Sequence, residues 1–371
     1  MRRVAAALVC AALLAGCGST KKVAPARPGP PPSFLGVTSG AALTLGRLLP
    51  PEVELMARTG VRSLRASFYW HDAQPTAHGP TRFSVTDPLV EAAARAGVGL
   101  LPVVLGPPSW AARHPGHGDS PPRGTATFAA FMRALVQRYG PRGSFWSTHP
   151  SVPRRPIRDW QIWNEPNHTY YWSDQPFERD YIALLRAAGG AIHGADPGAR
   201  VVLAGFPERS WQLLAQLYRA GARGAFDVAA VHPYTFEVPN VLKIVRLVRD
   251  VMNRAGDSRV PIMVTEFGWS SGIGKVSHPF GFDTTEADQA ARLRRAIPLF
   301  ARSRRALGIE RIYWESWITF DRIRTNPFDF AGLRELRLGA FPREKPAFAA
   351  FREVALRLNA CLRADPAAPC G

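Results

Sequence analysis

Eight short apolar runs recur along this chain, each divided from the next by a longer, mostly helical stretch, and few architectures accept that rhythm. The runs are Phe34–Thr38, Val61–Ala66, Val98–Leu105, Ile157–Trp163, Val201–Ala204, Val228–His232, Ile262–Thr265 and Arg311–Ser316. They are β-rich or continuously apolar, as strands covered on both faces must be. Helical spacing marks Pro88–Ala96, Thr127–Tyr139, Phe177–His193, Val241–Ala255, Glu286–Ser303 and Pro346–Leu358. Asp87 offers an N-cap before the first of these, and Gly140-Pro141 stops the second. The expected fold class is α/β, a (β/α)8 TIM barrel in a single domain over residues 33–358. A doubly wound open sheet also alternates, but no Gly-rich phosphate loop follows the first strand. Pro- and Gly-rich insertions at 106–124 and 140–156, and a loop at 269–285, adjoin strands 3, 4 and 7. In a barrel, the loops that follow strands surround the active face.

Beyond the N-terminus no run of about 20 apolar residues occurs, so no internal membrane span is expected. The formal net charge is +18, and the cations are 42 Arg against five Lys. Arginine spread this evenly along the chain reads as compositional bias, or else as attraction to an anionic envelope or acidic polysaccharide. It carries no zinc-finger spacing and no aromatic RNA-binding signature, so no nucleic-acid partner is expected.

The first 17 residues, MRRVAAALVCAALLAGC, begin with Arg2 and Arg3 and continue as an apolar stretch, Val4 to Leu14, too short to span a bilayer. Leu14-Ala15-Gly16-Cys17 resembles the lipobox of bacterial lipoproteins. The resemblance implies a signal peptide over 1–16, cleavage before Cys17 and lipidation of its thiol. The alternative is a plain signal peptide and a secreted product. Residues 17–32, rich in Pro and Gly, read as an extended tether with three cations that favour an anionic lipid surface. The expected location is extracytoplasmic and membrane-anchored. Cys361 and Cys370 lie in or beside the tail, 359–371. Outside the cytoplasm they can pair; two free thiols are the alternative. No cysteine spacing suggests zinc, and no metal site is expected.

Two acidic residues end apolar runs. Glu165 follows strand 4 in Trp-Asn-Glu-Pro, and Glu266 ends strand 7 in Thr-Glu-Phe-Gly-Trp. A carboxylate directly after a buried strand is a costly choice for packing alone. In an eight-stranded barrel both point into one mouth. Two carboxylates across a cleft suit glycoside hydrolysis, one protonating the leaving oxygen and the other attacking the anomeric carbon.

With these motifs the chain resembles the clan A glycoside hydrolases, particularly family 39-like and family 5-like members, from about Gly36 to Trp317. The resemblance implies a retaining enzyme with Glu165 as acid/base and Glu266 as nucleophile, needing no metal or organic cofactor. It implies Asn164 on the sugar 2-hydroxyl and Arg65 beside the nucleophile. It also places His232 and Tyr234, spaced His-x-Tyr after strand 6, in the cleft. At strand 8 it implies a sugar-stacking Trp, which is Trp317 or, by alternation, Trp314. Trp110, Trp70 and Trp269 follow strands and are further candidate platforms. Glu315 is expected to face outward. The family's histidine after strand 3 has no clear counterpart, since neither His114 nor His117 can be placed. The expected partner is an oligo- or polysaccharide of the envelope or exterior. Competing readings are a non-catalytic glycan-binding lipoprotein on the same scaffold, and transglycosylation through the same intermediate.

Overall fold

The computed structural model describes residues 34–40, 43, 48–337, 339–365 and 370. The expected signal peptide, Cys17 and the tether lie outside them. Eight parallel strands form a (β/α)8 barrel: β1 Leu35–Thr38, β2 Ser63–Tyr69, β3 Gly99–Leu105, β4 Asp159–Ile162, β5 Arg200–Val202, β6 Ala229–Val231, β7 Ile262–Phe267 and β8 Ile309–Trp314. They pair in the order β5-β4-β3-β2-β1-β8-β7-β6, and a single parallel bridge, Val202 to Val228, joins the two ends.

Helices pack around the outside: α1 Leu49–Thr59, α2 Trp70–Ala73, α3 Asp87–Ala96, α4 Thr125–Tyr139, α5 Ser144–Thr148, α6 Glu178–Ala195, α7 Ser210–Arg219, α8 Val238–Arg254, α9 Glu286–Leu307 and α10 Pro346–Ala364. None of the described helices is long and apolar enough to cross a membrane. The local chemistry explains their limits. Thr285 caps α9 by accepting from the Asp288 N–H at 3.1 Å, and Gly308 ends it in the left-handed region at φ +64°. On α8, Val241, Leu242, Val245, Val248 and Met252 form the buried stripe, and Arg249 is buried as well, donating to the Leu307, Ser258 and Val260 carbonyls.

α1 and α7 answer no sequence expectation. Each buries only two apolar side chains, Val53 and Met56 on α1 and Leu214 and Leu217 on α7, too few for periodicity to announce. α10 continues past residue 358 to Ala364, into the expected tail, and Cys361 is disulfide-bonded to Cys370. After β8 the chain adds a small sheet of β9 Ile318–Thr319, β10 Arg334–Glu335 and β11 Arg343–Glu344.

Alternation divides each strand between two environments. Outward residues join the main core beneath the helices. Inward residues fill the barrel, where Leu101, Val202, Val228, Ala230, Met263 and Tyr313 form a separate apolar layer. Below it, at the strands' N-terminal ends, Asp159 is bracketed by Arg200 at 2.7 Å and Arg311 at 2.6 Å. Above it, inward positions at the C-terminal strand ends are polar. That end carries the site.

Candidate active site

Arg65, on β2 in register with Thr38 at the end of β1, organises the mouth. Its Nε donates to Gln161 Oε1 at 2.7 Å, its Nη1 to Glu266 Oε1 at 2.6 Å and its Nη2 to Asn164 Oδ1 at 2.7 Å. One planar guanidinium thereby fixes groups from β4, β7 and the turn after β4. Gln161 is held in turn, donating through Nε2 to the Leu203 carbonyl at 3.0 Å.

Glu266 is 9% exposed. Its second oxygen accepts from Tyr234 Oη at 2.7 Å. Burial pushes this carboxyl upward, but the His232 and Arg65 side chains and the Tyr234 hydrogen bond outweigh it and hold it below the usual carboxylate range. Tyr234 moves the other way. Burial and the charges of Glu266, Glu315 and Glu165 raise it, so it remains a phenol and a donor.

Glu165 stands on a strained turn. Trp163 has φ +71° and Glu165 φ +39°, a region that L residues with side chains rarely occupy. The turn rotates Trp163 outward, where its Nε1 donates to the Tyr171 carbonyl at 2.8 Å and its ring meets Trp172 edge-on. Asn164 and Glu165 are thereby brought over the mouth.

His232 Nδ1 lies 2.6 Å from Glu165 Oε1, and Nε2 lies 2.9 Å from Thr265 Oγ1. The imidazole is fully buried, and Gly205 makes that placement possible. A Cβ at residue 205 would come within 1.9 Å of His232 Nε2. One oxygen of Glu165, one of Glu266 and Nδ1 of His232 all fall within 4.8 Å of one another. Such a trio could ligate a cation. The Arg65 guanidinium already paired to Glu266 opposes one, and this site is read without metal.

Glu165, Glu266, Asn164, Arg65, His232 and Tyr234 therefore meet at one end of the barrel. The aromatic candidates do not join them. Trp314 faces outward from β8 and is fully buried, edge-on to Phe267, with its Nε1 donating to the Ala331 carbonyl at 3.3 Å. Trp317 is also fully buried. Its Nε1 donates to Glu52 on α1 at 2.7 Å, and its ring meets Phe348 on α10. Neither has a ring face free for a sugar. Trp70 and Trp269 are likewise core residues. Trp110, on the loop after β3, is half-buried, leaning on Trp70 and donating to the Gln74 carbonyl at 2.9 Å.

Register explains where the strand-8 side chains point. Tyr313 faces the barrel interior, so Trp314 must face out and Glu315 must face in. Glu315 is thus a third acid in the mouth, contrary to the outward placement expected for it. Its side chain is hydrogen-bonded to Thr38 at the end of β1. Burial and the neighbouring charge of Glu266 push its carboxyl up to about 8. Tyr171 also borders the three acids. Burial raises its phenol, and Glu165, Glu266 and Glu315 raise it further. His114 sits on the rim instead, 2.6 Å from Asp174, tying the loop after β3 to the loop after β4.

No protein-family model matches the sequence, and no curated protein matches it. Solved structures do. A family 39 glycoside hydrolase from the gut symbiont Bacteroides cellulosilyticus aligns with a TM-score of 0.64 at 18% identity, covering 88% of this chain and 64% of that one. A monomeric β-xylosidase from Caulobacter crescentus gives 0.63 at 16% identity, over 87% and 68% of the two chains. An α-L-arabinofuranosidase from Thermotoga maritima gives 0.61 at 13% identity, over 89% and 71%. The chain spans less than two thirds of the length of the family 39 structure it matches. At these identities the likeness is one of fold.

Proposed function

We propose that this chain is a retaining O-glycoside hydrolase acting on a glycan by double displacement. The observation that carries the reading is the pairing of Glu165 with Glu266. Their nearest oxygens lie within 4.8 Å. Retaining glycosidases hold their carboxyl groups about 5–5.5 Å apart, whereas inverting ones leave about 6.5–9.5 Å for a water. The electrostatics of Glu266 support a division of roles. Glu266, kept ionised by His232 and Arg65, is the nucleophile. Glu165, over the mouth and half-buried, is the acid/base.

In the first step a Glu266 oxygen attacks the anomeric carbon as the glycosidic C–O bond breaks, and Glu165 gives its proton to the departing oxygen. In the second, Glu165 takes a proton from water, whose oxygen displaces Glu266 from the anomeric carbon. Arg65 Nη1 and Tyr234 Oη hold one Glu266 oxygen each, so the carboxylate needs little reorientation to attack. Arg65 occupies Asn164 Oδ1, leaving the amide N–H groups to donate to a sugar hydroxyl. The site residues need no cofactor for this chemistry. The N-terminal pattern supports placing the enzyme outside the cytoplasm, tethered through lipid on Cys17, with an extracellular or envelope glycan as substrate.

Leaving-group dependence tests the assignment. Glu165→Gln is expected to lower kcat/KM by about 10²–10⁴-fold on substrates with poor leaving groups, and far less on activated aryl glycosides. Azide should restore turnover of the aryl substrates and give a glycosyl azide of the substrate's own anomeric configuration. Equal loss on both substrate types, with no azide product, would remove Glu165 from the role.

A further inference from the structure

Double displacement uses two carboxylates, and this mouth holds three. Among the described residues, the buried acids Asp283 and Asp329 accept backbone N–H groups, and four other acids withdrawn from solvent face a cation. Glu52 is paired with Arg334, Asp159 with Arg200 and Arg311, Asp321 with Lys345 at 3.0 Å, and Glu266 with Arg65. Glu315 differs. The hydrogen bond its side chain makes is to the neutral Thr38 hydroxyl. The nearby Arg65 hydrogen-bonds Gln161, Glu266 and Asn164 and acts on Glu315 through its charge alone, which lowers the carboxyl against burial and Glu266. Among the described residues, the other ionisable groups bordering the mouth are Glu266, Glu165, His232, Tyr171 and Tyr234. His232 lies against Glu165. The mouth therefore gathers three acids around one guanidinium on a chain of net charge +18, and among the described residues no salt bridge reaches Glu315, which is half-buried.

We propose that Glu315 is a specificity-determining residue that selects a sugar bearing a protonated amino group, an amino sugar with a free amine. The proposal rests on reading this mouth as a glycosidase site. An ammonium group supplies a charge partner that the described residues do not give Glu315. A neutral sugar does not, and a uronic acid brings a further carboxylate to a mouth that already holds three acids. The protein's overall charge works against polycations, so such a preference must come from the mouth.

The choice carries a proton balance. With its carboxyl pushed up to about 8, Glu315 holds a proton at pH 7 in the free protein. When an ammonium group arrives, the Glu315 O–H bond breaks, its proton passes to buffer, and a carboxylate–ammonium pair remains. A sugar with hydroxyl in place of amine leaves that proton where it is.

Titration calorimetry of the full chain at pH 7 tests this without requiring turnover. Three pairs serve as probes: glucosamine and glucose, galactosamine and galactose, mannosamine and mannose. At least one amine is expected to bind tenfold or more tightly than its hydroxyl parent. Comparing two buffers of different ionisation heat should show close to one proton released per amine bound. Glu315→Gln should shrink the preference below threefold and abolish the proton release. Equal affinity within all three pairs, no binding of any amine, or a preference that survives in Glu315→Gln would overturn the proposal. Proton release is read on the unaltered protein, so it does not depend on how the variant folds. If the amines fail while Glu266 still forms a glycosyl adduct, the specificity proposal falls and the glycosidase reading stands.

Discussion

Glu266→Gln is expected to lower kcat/KM by about 10⁴–10⁶-fold, the scale on which enzymes lose their nucleophile. The amide can still accept a hydrogen bond from Tyr234, and the substitution is nearly isosteric, so the mouth keeps its shape. It cannot form the ester to the anomeric carbon. Substrate affinity should change little, because sugar contacts made by Asn164 and the walls remain. The structural cost is local. Arg65 loses its charged partner in a buried position, which should lower stability by about 1–3 kcal/mol. Steady-state kinetics and denaturant unfolding of the variant read both effects. Activity within tenfold of the parent protein would show that the reacting oxygen lies elsewhere.

Arg65→Leu should be the most damaging substitution for stability in the mouth, costing about 3–5 kcal/mol. It strands Glu266, Gln161 and Asn164 together, all buried and all previously held by one guanidinium. The loss should depend on pH, and its direction follows from Glu266. In the parent protein that carboxyl is held below its ordinary value, so the stability it contributes is present above the unfolded pKa and fades as pH falls through the folded one. In the variant, burial acts with less opposition and raises the carboxyl, so ionising it costs stability as pH rises. The gap between the two proteins should widen from about pH 4 to pH 7. Urea unfolding across that range measures it. The acid limb of the pH–rate profile should also move upward. A constant gap, or one that narrows, would contradict the role given to Arg65.

Much of this architecture was legible because strand burial and helix amphipathicity leave strong local marks. All eight strand positions can be read from apolar runs, since a strand covered on both faces has little freedom in composition. Glu165 and Glu266 stood out because each places charge where a run ends. Glu315 did not stand out. It lies between aromatic residues, and sequence alone leaves open which member of Tyr313, Trp314 and Glu315 turns inward. The decisive datum is register: Tyr313 hydrogen-bonds Ser63 across the barrel at 2.9 Å and sets the phase of the strand. The same phase sends Trp314 outward, while Glu52 on α1, in a helix that periodicity did not reveal, captures Trp317. Tyr171 was hidden for a different reason. It sits in an irregular loop after β4, where no periodicity links position to direction. Its approach to the acids depends on the turn at Trp163 and Glu165.

The central claim is that Glu266 becomes covalently attached to a sugar. Incubation with a panel of 2-fluoro and 5-fluoro glycosyl fluorides, followed by intact mass and peptide mapping, tests it directly, because slow turnover of such sugars traps the intermediate. One glycosyl group per chain is expected, on Glu266, and none in Glu266→Gln. A label on Glu165 or Glu315, or no label from any sugar that demonstrably binds the mouth, would contradict it.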